Sequence, residues 1–217
     1  MIFDTVIFDL DGTLLDTLDD LADSVNFTLA QAGFPERSRD EVRKSVGNGI
    51  KNLIRRVAPE GTPEPELDAC DRVFRAHYSK NMQNKTKPYD GIPELLAILK
   101  ERGVKMAVVS NKYDQAVKGL CGAMFSGYIS VAIGESSAVH RKPAPDSLFE
   151  AMRELCSSKE NTLYVGDSEI DVRTSKNAGI RCVGVTWGFR DRDVLEAEGA
   201  DGIVDSPAEL LRLMKAD

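Results

Sequence analysis

Two carboxylates stand two residues apart at the end of an apolar run, in Val6-Ile7-Phe8-Asp9-Leu10-Asp11-Gly12-Thr13-Leu14. The run is long enough for a buried strand of a parallel sheet. Side chains two apart on a strand point the same way, so Asp9 and Asp11 start on one face. Carboxylates crowded there repel unless a proton or a cation comes between them. A hard, oxygen-seeking ion such as Mg2+ meets that need. Gly12 lets the chain turn sharply, with backbone N–H groups free to face an anion. A carboxylate can also attack phosphorus and form an aspartyl-phosphate. An Asp-rich strand-to-loop turn with local hydrogen bonds accounts for the same residues without any chemistry.

Three more polar groups suit phosphoryl chemistry. An apolar run at 104–109 ends in Ser110-Asn111, where a hydroxyl and neighbouring N–H groups can hold a phosphoryl oxygen. Lys142, set before Pro143, is a point charge able to offset a phosphoryl group. A third run at 162–165 ends in Gly166-Asp167, and Asp171 follows one helical turn later on the same face. Each has a plainer reading. Ser110 and Asn111 can cap a helix, Lys142 can be a solvated loop lysine, and Asp167 and Asp171 can serve a helix start. Four such groups, each at a strand end or helix opening, make coincident capping a poor account of the whole.

The elements that must position these residues read as α/β. After the first strand, residues 16–85 carry only helical patterns. Leu18, Leu21, Ala22, Val25 and Leu29 recur at helical spacing until Gly33 and Pro35 stop them. Helices are predicted at about 38–46, from Ile50 to Val57, and at about 66–81. The prolines at 59, 63 and 65 mark a loop. From Pro88 onward strands and helices alternate, with strands predicted at 104–109, 129–133, 162–165, 182–185 and 202–204. A last helix opens with the capping-box pattern Ser206-Pro207-Ala208-Glu209. Alternation predicts a parallel, Rossmann-like sheet with helices on both faces. The predicted domains are an α/β core, 1–15 with 88–217, and an inserted α-helical cap domain, 16–87.

Acidic residues outnumber basic ones, 35 to 28, for a net charge of −7. That argues against nonspecific nucleic-acid binding, which needs Lys and Arg on phosphates. No apolar run approaches membrane-spanning length, and the N-terminus carries no basic leader. The four cysteines are scattered, without a C-x-x-C pair, as expected of thiols in a reducing compartment. The expectation is a cytoplasmic protein with neither nucleic-acid nor membrane partners.

DLDGTLLDT, VVSNK, RKPAPD and VGDSEIDV resemble the four motifs of the haloacid dehalogenase superfamily, and the resemblance spans essentially the whole chain. The helical insertion resembles that family's small α-helical cap. Val46-Gly47-Asn48-Gly49 and Gly184-Val185-Thr186-Trp187-Gly188-Phe189 resemble segments of its phosphoglycolate phosphatases. The resemblance implies roles. Asp9 is the nucleophile, and Asp11 the acid that protonates the leaving oxygen and then the base that activates water. Mg2+ is held by the Asp9 carboxylate, the Asp11 backbone carbonyl and Asp167, with Asp171 behind the metal or on Lys142. Gly12, Thr13, Ser110, Asn111 and Lys142 hold the phosphoryl group.

Dehalogenases of the superfamily lack the second aspartate, so Asp11 favours phosphoryl transfer. In the cap, Asn48 and Gly49 are candidates for substrate contact. Lys51 and Arg55, four apart on the next helix, either assist or form a solvated basic face. The implied activity is a Mg2+-dependent phosphatase for a small phosphorylated metabolite, 2-phosphoglycolate foremost. The alternatives are a pyrophosphatase, a nucleotide or sugar phosphatase, a phosphomutase and a non-catalytic binding protein. The mutases carry a cap-loop His absent from this chain between Asp16 and Arg72.

Overall fold

A computed structural model describes residues 3–47 and 49–214. The chain divides into two compact units, Met1–Leu15 with Pro88–Asp217, and Asp16–Lys87.

The first unit contains β1 (Thr5–Phe8), α5 (Ile92–Glu101), β4 (Lys105–Tyr113), α6 (Asp114–Met124), β5 (Val131–Glu135), α7 (Asp146–Glu154), β6 (Thr162–Gly166), α8 (Glu169–Ala178), β7 (Arg181–Val185), α9 (Arg192–Glu198), β8 (Gly202–Val204) and α10 (Pro207–Leu213). The six strands form one parallel sheet in the order β5-β4-β1-β6-β7-β8. Strand β1 lies inside it, with Phe8 opposite Val108 of β4 and Val165 of β6. Chain order reverses around β1, the position at which open α/β sheets leave a crevice at their carboxyl ends.

Alternation along β1 builds two cores. Val6 and Phe8 pack with Leu95, Leu96 and Leu99 of α5, Val117 and Leu120 of α6, and Leu210 of α10. Ile7 faces the other way, toward Leu148 and Ala151 of α7, Val172 of α8 and Leu195 of α9. A strand buried on both faces reads as a continuous apolar run, which is why β1 carries no polar alternation.

The second unit is helical: α1 (Leu18–Gln31), α2 (Arg39–Ser45), α3 (Ile50–Val57) and α4 (Glu64–Asn81). Helix α1 packs on α4 and α2, and α3 on α4. The buried face of α4 is Leu67, Cys70, Phe74 and Tyr78. Buried Asp20 takes the backbone N–H groups of Lys85 and Thr86 at 2.9–3.1 Å, tying the unit's end to its first helix. Strands β2 (Leu15–Asp16) and β3 (Lys87–Pro88), where the chain passes between units, pair in a two-stranded sheet.

Several expectations shift. Strand β4 runs on through Tyr113, with a register irregularity between Val109 and Tyr113, so Ser110, Asn111 and Lys112 belong to the strand. Strand β5 starts at Val131, because the Ile129 N–H is spent on the Phe125 carbonyl. Pro65 lies inside the first turn of α4, where its missing N–H costs nothing. At α10 the Ser206 hydroxyl accepts from the Glu209 N–H at 3.3 Å, but the Glu209 carboxylate accepts from Asp205 and not from Ser206. Among the described residues no helix is long and apolar enough to cross a membrane.

Candidate active site

The carboxyl ends of β1, β4 and β6 bring the predicted residues together. Asp9 follows β1, Asp167 follows β6, and Asp171 sits in the first turn of α8. Lys142 reaches them from the segment before α7. Its Nζ donates to Asp9 Oδ1 at 2.8 Å, Asp171 Oδ1 at 2.7 Å and the Tyr164 hydroxyl at 3.0 Å. An ammonium has three donors, and here all three are used. The Tyr164 hydroxyl in turn donates to Asp171 Oδ1 at 2.7 Å. Asp171 Oδ2 accepts from the Ser168 N–H and hydroxyl at 3.1 and 2.6 Å. Asp171 thus spends both oxygens on protein donors. Asp9 Oδ2 accepts no hydrogen bond from the described residues.

Asp167 sits between two glycines. Its Oδ2 accepts from the Phe189 N–H at 2.6 Å, and its Oδ1 from the Thr13 hydroxyl at 3.3 Å. A Cβ on Gly12, whose φ is +88°, would lie 2.3 Å from Asp167 Oδ2. One on Gly188 would lie 2.3 Å from Asp167 Cβ and 2.4 Å from the Gly12 carbonyl oxygen. The Trp187 indole N–H donates to the Thr13 carbonyl at 2.9 Å. The segment 184–189 therefore clamps the turn after β1.

Burial sets the electrostatics. Asp9, Asp167 and Asp171 each place an oxygen within 4.8 Å of the others, and all three are buried. Burial, with the Asp171 and Asp11 charges, pushes Asp9 up to about 7 against the pull of Lys142. Burial and the charges of Asp171 and Asp9 also raise Asp167 well above the carboxylate range. Burial works against an ionised Asp171 too, but the Lys142 charge and the Lys142, Ser168 and Tyr164 hydrogen bonds hold it below that range. Burial disfavours charge on Lys142 as well, yet Asp171 and Asp9 raise it above the ordinary lysine value. Three carboxylates against one ammonium leave two negative charges in excess when all are ionised. An all-oxygen donor set with that excess fits a hard divalent cation.

Other predicted residues are placed differently from expectation. Asp11 lies in the turn beyond β1, and its two oxygens accept from Lys112 Nζ at 2.7 and 2.9 Å. The lysine offsets the charge of that carboxylate. The Gly12 N–H is not free for an anion, because it donates to the Leu15 carbonyl at 2.9 Å. Thr13 gives its N–H to the Leu10 carbonyl and its hydroxyl to Asp167. Among the described residues, the amides of this turn without a partner are Leu10 and Asp11. The Asn111 amide is engaged by the Lys142 backbone at both its Nδ2 and its Oδ1, so its side chain positions Lys142. The Ser110 hydroxyl is buried and accepts from the Lys112 N–H at 3.2 Å.

In the helical unit Gly49 has a φ of +84° and precedes α3; Asn48 lies outside the described residues. Lys51 Nζ bonds Asp68 at 2.8 Å, and Arg55 pairs with Glu64, all exposed. Those two cations form surface ion pairs within their own unit.

Sequence reasoning missed three contributors. Tyr164 reads as one more apolar strand residue. Lys112 falls outside the predicted strand. The Phe189 amide carries no side-chain signal, although Gly188 before it marks a close backbone approach.

Comparison with known proteins decides the family. A haloacid dehalogenase-like hydrolase family model matches residues 6–185. The chain belongs to the haloacid dehalogenase-like hydrolases. Among curated members, the phosphoglycolate phosphatase of Aquifex aeolicus is 34% identical over 210 residues, covering 96% of this chain and 95% of that protein. Among solved members, a candidate phosphoglycolate phosphatase from Lactobacillus delbrueckii subsp. bulgaricus has a TM-score of 0.95 at 33% identity, with 100% of both chains covered. CbbY from Rhodobacter sphaeroides, crystallised with xylulose-1,5-bisphosphate, has a TM-score of 0.75 at 28% identity, with 96% of each chain covered. The family resemblance read from the four motifs is correct, as is the α/β fold. With these relatives the chain is assigned to the phosphatases of the family.

Proposed function

We propose that the protein is a Mg2+-dependent phosphomonoesterase that works through a phosphorylated Asp9, with 2-phosphoglycolate its leading substrate. The observation that carries this reading is the asymmetry of Asp9. Lys142 holds Oδ1, while Oδ2 accepts no hydrogen bond from the described residues, as a nucleophilic oxygen requires. In the first step an Asp9 oxygen bonds to phosphorus, the ester P–O bond breaks, and Asp11 gives its proton to the leaving oxygen. In the second, Asp11 takes a proton from water. The water oxygen bonds to phosphorus, and the Asp9–phosphorus bond breaks to release phosphate.

Ser110 and the Leu10 and Asp11 amides are donors for the phosphoryl oxygens. The Asp9 and Asp167 carboxylates, with the Asp11 backbone carbonyl, would hold Mg2+. Bound there, the ion supplies charge to offset the phosphoryl oxygens and to keep Asp9 ionised. Asp171, its oxygens already occupied, fixes Lys142. Unit Asp16–Lys87 is the cap in this reading, with Asn48 and Gly49 as substrate contacts. Free Cys70, Cys121, Cys156 and Cys182 support a reducing, cytoplasmic setting.

The substrate class follows the curated relative named above, and the bisphosphate bound to CbbY extends it to small esters that carry a second anionic group. The test is phosphate release from 2-phosphoglycolate, sugar phosphates, nucleotides and pyrophosphate, with and without Mg2+. The expected result is Mg2+-dependent turnover centred on 2-phosphoglycolate and lost in Asp9→Asn. Turnover centred on pyrophosphate, nucleotides or sugars keeps the chemistry and replaces the substrate. Normal turnover by Asp9→Asn overturns the nucleophile.

A further inference from the structure

Lys112 is a cation against Asp11 to which the reaction above gives no task. Its Nζ bonds both oxygens of Asp11, and 6% of its side chain is exposed, against 18% for Asp11. Its backbone N–H is tied to the Ser110 hydroxyl. The lysine is therefore anchored to one residue that faces the phosphoryl group and to another that faces the leaving oxygen.

A carboxylate held at both oxygens cannot turn one of them to a leaving group without giving up at least one of these contacts. The lysine then loses charge-assisted hydrogen bonds in a site largely closed to water, where they are hard to replace. A substrate that carries a second anion beside its leaving oxygen makes the loss good. A neutral ester does not.

We propose that Lys112 determines specificity: its ammonium passes from Asp11 to an anionic group next to the leaving oxygen, and so frees Asp11 for esters that carry one. The inference rests on the phosphatase reading and deepens it. The ligand class is the phosphate esters of 2-hydroxy acids. In 2-phosphoglycolate, the simplest of them, the carboxylate sits on the carbon that bears the leaving oxygen.

Ethyl phosphate is the neutral counterpart, with a methyl group in place of that carboxylate. Values of kcat/KM for both esters are measured in the parent protein, Lys112→Met and Lys112→Arg, the last keeping the charge if the methionine variant does not fold. Lys112→Met is expected to lose roughly thirtyfold or more on 2-phosphoglycolate and less than about threefold on ethyl phosphate, with Lys112→Arg between. Binding of the same two esters is measured by calorimetry, with Mg2+ present, in Asp9→Asn and in Asp9→Asn combined with Lys112→Met. The added substitution is expected to weaken 2-phosphoglycolate about tenfold or more and to spare ethyl phosphate.

Equal losses on both esters reduce Lys112 to structural support for Asp11 and overturn the proposal. An unchanged preference also overturns it. Failure of the parent protein to turn over either ester removes 2-phosphoglycolate as the substrate by itself, and the binding comparison then decides Lys112.

Discussion

Asn111 and Lys142 hold each other by a reciprocal pair of hydrogen bonds. Asn111 Nδ2 donates to the Lys142 carbonyl at 3.0 Å, and the Lys142 N–H donates to Asn111 Oδ1 at 2.7 Å. The pair ties the end of β4 to the segment before α7, so the lysine stem starts from a fixed point beneath Asp9. Asn111→Ala leaves both backbone groups without this partner, at a cost of about 1–2 kcal/mol. It also loosens the base of the ammonium. The expected outcome is a fall in kcat of about tenfold with little change in KM, because positioning is lost and substrate contact is not. Steady-state kinetics and a denaturant melt on one preparation check both parts. Wild-type kcat in a destabilised Asn111→Ala would show that Lys142 needs no such anchor.

Tyr164 is the second support. Its hydroxyl accepts from Lys142 and donates to Asp171, fully buried between them. Tyr164→Phe removes one bond to each charge and is expected to cost about 1–3 kcal/mol of stability. Asp171→Asn goes further, since it leaves Lys142 with Asp9 as its remaining carboxylate partner. A broken buried pair costs about 3–5 kcal/mol, so Asp171→Asn should be the more damaging of the two in both urea midpoint and kcat. The reverse ranking would mean that the hydroxyl, not the charge, holds Lys142.

What could be read from the sequence, and what could not, follows from how far each signal reaches. Asp9, Lys142, Asp167 and Asp171 were legible because each ends an apolar run or opens a helix, and parallel sheets gather such positions at one edge. Helix limits were legible where a local rule decides them, as at Ser38, which caps α2, and Gly179, whose φ of +71° ends α8. Tyr164 was not legible, because its partner Lys142 lies 22 residues away and only the strand order brings them together. Lys112 escaped because β4 runs through polar residues that by themselves read as a turn. Gly12 was read correctly as a sharp turn, but its own amide closes that turn internally, and the Leu10 and Asp11 amides beside it are the ones without a partner among the described residues.

Gly188 and Gly12 leave no room around Asp167. A methyl group on Gly188 would meet the Asp167 Cβ and a backbone carbonyl, neither of which is a flexible end that can swing aside. Gly188→Ala must therefore shift Asp167 or the turn after β1. The expected result is a rise of about tenfold or more in the Mg2+ concentration for half-maximal activity, as follows when a metal ligand loses its orienting shell. Gly119 is the control. It lies within α6 with nothing inside 4 Å of an added Cβ, so Gly119→Ala should stabilise by about 0.4–1 kcal/mol and leave the Mg2+ response alone. Equal Mg2+ requirements in the two variants would remove Asp167 from the metal.

The buried carboxylates also predict how the metal-free protein responds to pH. Asp9 rises from 3.8 to about 7 on folding, chiefly through burial. The native state thus keeps a proton that the unfolded chain has already lost. Its contribution to stability is complete below about pH 4 and is lost as pH climbs through about 7. Asp167 is raised as well and acts in the same sense. Asp171 is lowered, so its contribution is present above the usual carboxylate range and is lost only in stronger acid, outside this window. Melting of the metal-free protein should therefore move to lower temperature between pH 5 and pH 8. Asp9→Asn should flatten part of that fall, with a ceiling of about 3 kcal/mol, because about two of the pH units in that range lie below the folded value. Added Mg2+ should raise the melting temperature far more at pH 8 than at pH 5, because it binds the ionised carboxylates and competes with their protons. Melting curves across that range, with a chelator and then with MgCl2, read the three effects. A metal-free protein that gains stability from pH 5 to pH 8, with no change in slope on Asp9→Asn, would mean that Asp9 is ionised throughout.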